Sequence, residues 1–322
     1  MLRLRESMFD TFVYKRLANN DTGKAAGHQA GIVIPKAISD FFPSLPAISE
    51  ASGPTVDAEL VADLFVDGSK VSTVKTRYQY QTWGGTRSPE RRLTSNLGAL
   101  RNLASAGDIL LFRKSLDDDY CVQLHLVRRG TKEFERLEAH VGTSTWGVLD
   151  RENPPLTNSQ ISDSLKYVQK QIDGPPTVFS DERATNQTIS MRKARDKAFR
   201  RNLLIQYDYR CAFTGRKFLS PLGTSMIGLD AAHVVPVAER GSDHPANGLT
   251  LTKELHWAFD QGMVGVARDR TILVPSTVRN ISGNEFLRDL HGRPLREAKD
   301  ASCRVSELAL EWHRYNRVAR MR

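Results

Sequence analysis

His233, Asn247, His256 and Asp260 lie within one short stretch of the chain. His256 and Asp260 are four residues apart in Lys253-Glu-Leu-His-Trp-Ala-Phe-Asp260. That spacing puts both side chains on one face of a helix, where they can share a ligand. His233 closes a short apolar run, Asp230-Ala-Ala-His. An imidazole titrates near neutrality, so it can take a proton from water. A carboxylate and a second imidazole beside it suit a divalent cation, and the set as a whole suits metal-assisted hydrolysis.

The elements that must position these groups are a strand, a loop and a helix. The strand ends in His233, the Gly-, Pro- and Asn-rich loop contains Asn247, and the helix carries His256 and Asp260. Asp230 is a further candidate ligand, although alternation along a strand directs it to the face opposite His233. Upstream, Met191 to Ile205 reads as a strongly basic helix with Ala194, Ala198 and Leu204 on its inner face. Such a helix suits phosphates, or simply a solvated surface. Val264 to Val266 and Thr271 to Val274 read as closing strands, and Val305 to Asn316 as an amphipathic helix. His244, in the loop, is either exposed or a phosphate contact.

The chain has 322 residues and a formal charge of +9, with 46 Lys and Arg against 37 Asp and Glu. Its length favours two domains, and the basic surplus is compatible with a polyanionic partner. The three cysteines are far apart and form no Cys-x-x-Cys pair, so no structural zinc site is encoded. An odd cysteine count and a polar N-terminus point to the cytoplasm. No apolar run approaches the ~20 residues of a membrane helix, so a membrane association is not expected.

Residues 1–145 read as β structure: short strands at 12–14, 31–34, 58–66, 75–83, 107–113 and 120–127, separated by turn signals. Leu93 to Leu103 reads as one helix. Two segments suit DNA. Leu17 to Pro35 is rich in small and polar residues and includes Asn20, Lys24, His28 and Gln29. Its backbone amides can approach phosphates. Arg77 to Thr94 interleaves arginines with aromatics: Arg77, Tyr80, Trp83, Arg87, Glu90, Arg91 and Arg92. These side chains suit phosphates, base edges and methyl groups. Residues 146–185 read as a linker with one short helix near 161–172, and 186–322 as a second domain.

The stretch Ala-His-Val-Val-Pro, Asn-Gly-Leu, Leu-His-Trp-Ala-Phe-Asp-Gln-Gly resembles the HNH motif of ββα-metal nucleases. The resemblance implies that His233 is the general base, Asn247 braces the loop and His256 is a metal ligand. It puts Asp260 where some members place a second helical ligand. Ala232 departs from the pattern, because many HNH enzymes carry an Asp or His ligand there. Asn-Asp-Thr-Gly, Gly-His-Gln-Ala-Gly-Ile and Ile-Pro, with Thr-Arg-Tyr and Glu-Arg-Arg-Leu-Thr, resemble the N-terminal DNA-binding domain of EcoRII-type restriction enzymes. That resemblance implies a β pseudobarrel with two arms in the major groove. The barrel-then-HNH order is similar to McrA-type modification-dependent restriction enzymes.

The fold expected is therefore α+β, an N-terminal β pseudobarrel followed by a ββα-metal HNH domain. The expected activity is metal-dependent cleavage of double-stranded DNA bearing 5-methylcytosine, whose methyl Tyr78, Tyr80 or Trp83 would bury. Mg²⁺ or Mn²⁺ suits oxygen ligands, and a His ligand also admits Ni²⁺, Co²⁺ or Zn²⁺. One HNH site cuts one strand, so a double-strand break implies a homodimer or two binding events. Two alternatives stand: a restriction enzyme for an unmodified site, and a DNA-binding protein with a silent HNH fold.

Overall fold

The computed structural model describes residues 9–24, 31–49, 53–85, 87–180, 188–218 and 228–321. The chain divides into two compact units, residues 1–159 and 160–322.

The first unit is built on a curled eight-stranded sheet, a half-barrel. Its strands are β1 (Val13–Arg16), β2 (Ile32–Ile34), β3 (Thr55–Val66), β4 (Ser69–Gln81), β5 (Glu90–Thr94), β6 (Ile109–Lys114), β7 (Cys121–Val127) and β8 (Trp146–Val148). Their order is β2-β5-β4-β3-β7-β6-β1-β8. β3 and β7 run parallel, and the other neighbours are antiparallel.

Alternation explains the strands. In β3, Leu60, Ala62, Leu64 and Val66 are buried at every second position, the pattern of a strand with one face in a core. On the inner face Val13, Leu64, Tyr78, Phe112 and Leu124 share a core. The opposite face buries Tyr14, Ile109 and Leu111 under Phe134 and Val141 of a helix, Lys132–Val141.

Two expectations need correction. The helix read over Leu93 to Leu103 is mostly absent. Leu93 lies in β5 opposite Ile32 and Tyr78, and only Gly98–Arg101 is helical. Ser95 and Asn96 both take positive φ and break the chain between the two. The linker expected over 146–185 is also incomplete as a description, since Trp146–Val148 supplies the last strand of the sheet. The helix expected near 161–172 spans Asn158–Ile172.

The second unit packs a long helix, α1 (Ile189–Gln206), against a hairpin of β9 (Leu229–His233) and β10 (Gly248–Thr252), followed at once by α2 (Lys253–Asp260). A two-residue pair, Gly265–Val266 with Ile272–Leu273, and the helix α3 (Glu307–Asn316) complete it. Phe199, Leu203, Leu229, Leu249, Leu251, Leu255, Phe259 and Leu310 form one core. Cys211 is buried in that core as a free thiol. Among the described residues no helix is long and apolar enough to cross a membrane.

Candidate active site

The hairpin is where the site begins. His233 pairs in register with Gly248, and Asp230 with Leu251. Because α2 starts directly after β10, it folds back across the hairpin. Leu255, Ala258 and Phe259 point into the core, which leaves His256 and Asp260 on the outer face. The result is a cleft of about 350 Å³ whose walls include His233, His256, Asp260 and Arg317. Three residues chosen from the sequence thus share one cavity.

The loop between the strands is braced by Asn247. Its Oδ1 accepts from Val235 N (2.9 Å), and its Nδ2 donates to Val235 O and Ser242 O (both 3.0 Å). The amide is wholly buried and fully used, so it acts on the loop and not on a substrate. Gly241 closes the same loop. A Cβ there would lie 1.8 Å from Val235 O, so the backbones could not approach as they do. His244 is also buried; its Nδ1 accepts from Ala246 N at 2.9 Å. It is a loop cap, not an exposed group or a phosphate contact.

His233 is held on two sides. Its ring stacks on Phe199 of α1 with centroids 3.9 Å apart. Its Nε2 lies 3.2 Å from Asp243 Oδ1, and the Asp243 side chain is 2% exposed.

His256 lies between two carboxylates, Asp230 Oδ2 3.2 Å from Nδ1 and Asp260 Oδ2 3.6 Å from Nε2. Burial works against a charged His256, but the Asp230 hydrogen bond and the charges of Asp260 and Asp230 outweigh it. Its pKa lies above the usual histidine value. Burial likewise opposes charge on Asp230. The His256 hydrogen bond and Arg200, 3.6 Å away, nevertheless hold that carboxyl below the usual range.

Asp230 therefore reaches the site by meeting the far nitrogen of His256, although alternation sends it away from His233. A carboxylate on one imidazole nitrogen orients the other toward a cation. The donors on the cleft are then His256 Nε2 and the Asp260 carboxylate, an N,O pair that fits a divalent ion. Among the described residues no three His, Cys, Asp or Glu side chains converge as a metal cage. Ala232 is fully buried in the core and cannot contribute.

The barrel treats its candidates differently. Asn20 is exposed in a tight turn, Asn19–Asp21. Asp21 anchors that turn, fully buried against Lys15 Nζ at 2.7 Å and accepting from Ala18 N and Val33 N. Lys24 is exposed and donates to Ser105 Oγ at 3.0 Å. His28 and Gln29 lie outside the described residues. Arg77 pairs with Asp57 at 2.8 Å. Arg91 stands opposite Tyr80 and stacks over its ring at 4.4 Å, and Arg87, exposed, lies 5.4 Å from the Trp83 ring. Arg92 is buried and held by both oxygens of Glu90, at 2.7 and 3.2 Å. Tyr78 is 1% exposed and stacked on Phe42; burial pushes its pKa up to about 12. It is a core residue and cannot reach a methyl group on DNA. Tyr80 and Trp83 stay half-exposed.

Sequence reasoning missed Asp243, Phe199 and Arg317. None carries a periodic signal toward His233: one is in a loop, one is on a separate helix and one lies beyond α3. Arg317 is delivered by close packing. A Cβ at Gly262, where φ is +74°, would lie 2.4 Å from Arg317 O. His313, stacked on Phe259 at 3.6 Å, donates from Nε2 to Phe259 O and holds α3 in place.

Residues 7–145 match the family described as restriction endonuclease EcoRII, N-terminal, and residues 211–267 match HNH endonuclease. Among solved structures, the chain is similar to the modification-dependent TagI restriction endonuclease at 20% identity. That match covers 37% of each chain with a TM-score of 0.30. It is also similar to the UbaLAI restriction endonuclease B3 domain with cognate DNA, at 25% identity over 36% of this chain and 65% of that one, with a TM-score of 0.26. The chain thus covers less than two thirds of either structure. No curated protein matches it. Residues 7–145 thus carry a domain of the EcoRII N-terminal type, and residues 211–267 an HNH endonuclease domain.

Proposed function

We propose that the protein is a divalent-metal-dependent endonuclease whose barrel reads double-stranded DNA carrying 5-methylcytosine and whose cleft hydrolyses the backbone. The observation that carries this reading is the meeting of His233 with the His256/Asp260 pair in one cleft. His233 accepts a proton from water, the oxygen attacks phosphorus, and the leaving oxygen is protonated by solvent. Arg317, which also lines the cleft, supplies a guanidinium for the non-bridging oxygens. His256 and Asp260 would hold the ion, which when bound supplies Lewis-acid stabilisation of phosphate charge. On the barrel, half-exposed Tyr80 and Trp83 are the apolar surfaces for a base methyl, with Arg87 and Lys24 for phosphates. A double-strand break needs two such clefts, hence a homodimer or two visits.

The test is incubation with methylated and unmethylated genomic DNA across Mg²⁺, Mn²⁺, Ni²⁺, Co²⁺ and Zn²⁺, with the ends sequenced. Metal-dependent ends centred on methylated cytosines are expected. Equal cutting of both DNAs would remove the modification dependence and leave a conventional restriction enzyme. A second reading, a DNA-binding protein with a silent HNH fold, is favoured by the buried Ala232 and the two-donor site. Tight binding without cleavage under every condition would establish it.

A further inference from the structure

We propose that Asp243 is the positioning residue for His233: its buried carboxylate fixes the imidazole as the Nε2–H tautomer and leaves Nδ1 as the proton acceptor. This rests on the reading of His233 as the base. An imidazole can take a proton only at a nitrogen that lacks one, so a general base needs its tautomer decided before water arrives. A carboxylate decides it, because an ionised carboxylate only accepts hydrogen bonds. Asp243 Oδ1 is 3.2 Å from Nε2, and the carboxylate is almost wholly buried. Leaving a buried carboxylate opposite a bare ring nitrogen would place two acceptors together, which burial makes costly. Phe199, stacked 3.9 Å away on the ring face, opposes turning of the ring about its Cβ–Cγ bond. Nδ1 makes no hydrogen bond among the described residues, and the ring lines the cleft that holds His256 and Asp260.

Asp243 itself is carried by the braced loop. Its neighbour Ser242 gives its carbonyl to Asn247 Nδ2 and its hydroxyl to Thr177 O. Asn247 therefore acts on the base at one remove, by holding the loop that presents Asp243.

The experiment is ¹⁵N-histidine NMR on the full chain, with the His233 signals assigned through His233→Gln. In the wild type, Nε2 should carry the proton near pH 8. In Asp243→Asn the Nδ1–H form should appear, because the amide can donate to Nε2. Cleavage by that variant should fall about 100-fold or more in kcat with KM for DNA unchanged. Adding Asp243→Asn to His233→Ala should cost nothing further. A wild-type His233 protonated at Nδ1 would overturn the proposal, and that measurement needs no variant to fold. So would an Asp243→Asn protein that keeps both the tautomer and the rate. Absence of cleavage in the wild type would count against the nuclease reading alone, because the NMR result still decides the tautomer.

Discussion

The barrel sheet and the cleft of the nuclease unit use charged residues differently. On the barrel sheet, Arg77, Arg91 and Arg92 are each taken up by a neighbour: a carboxylate, an aromatic face, a second carboxylate. In the cleft, His256 and Asp260 face the same cavity as His233 and Arg317, and the partners Asp230 and Asp243 contact the two imidazoles. An arginine on a strand has cross-strand neighbours 4.5–5.5 Å away and same-face neighbours two residues along its own strand, so it finds a partner on one or the other. A site at the meeting of strand, loop and helix has no such ladder, and its groups are left facing a void.

The largest effect separating the two regions is expected from His233→Ala. Loss of the base should lower the cleavage rate about 1000-fold while DNA affinity, measured by gel shift, stays within twofold. A parallel loss of affinity would mean that His233 itself contributes to DNA binding, and the contrast would fail.

The next effect concerns acid. Burial drives His313 down to about 4 in the nuclease unit, and burial aided by Arg113 drives His125 down to about 4 in the barrel. Between pH 6.5 and 4 the unfolded chain binds protons that the folded chain refuses. The stability contributed by each neutral histidine is therefore complete above pH 6.5 and declines as pH falls toward 4. For His313 the displacement amounts to about 3 kcal/mol at ~1.4 kcal/mol per unit. Thermal unfolding of His313→Gln against pH should be flatter than wild type. A slope unchanged by the substitution would show that the acid sensitivity lies elsewhere.

The smallest effects fall within the barrel. Glu90→Ala removes both carboxylate contacts of the buried Arg92 guanidinium and should reduce stability by about 2 kcal/mol, read by urea unfolding. Arg87→Ala should leave stability unchanged, weaken DNA binding about tenfold or less and reduce the salt slope by about one. Equal behaviour of the two variants would erase the distinction between an internally paired charge and one offered to DNA.

Much of the cleft was legible because its parts are local. Four-residue spacing on a helix puts His256 and Asp260 together in any fold that forms the helix, and β10 running straight into α2 fixes their side of the hairpin. Distant parts of the chain decide the rest. Leu93 has an apolar spacing that also fits a helix, yet pairing with Ile32 and Tyr78 makes it a strand residue. Tyr78 and Tyr80 are two residues apart on one face, yet only Tyr78 lies against Phe42 and becomes core. Nothing in either tyrosine's immediate neighbourhood distinguishes them.

Composition and motif spacing by themselves determined a basic chain with a histidine at a strand end, a His/Asp pair on one helical face and a β-rich N-terminal region, because those properties follow from side-chain chemistry and from the periods of helix and strand. The tertiary structure decided which nitrogen of His233 meets Asp243, that Asp230 serves His256 from behind and that Arg317 reaches the cleft. Those outcomes depend on distances between different elements of the fold. Such distances are set by close packing of the core, which no local pattern of residues encodes.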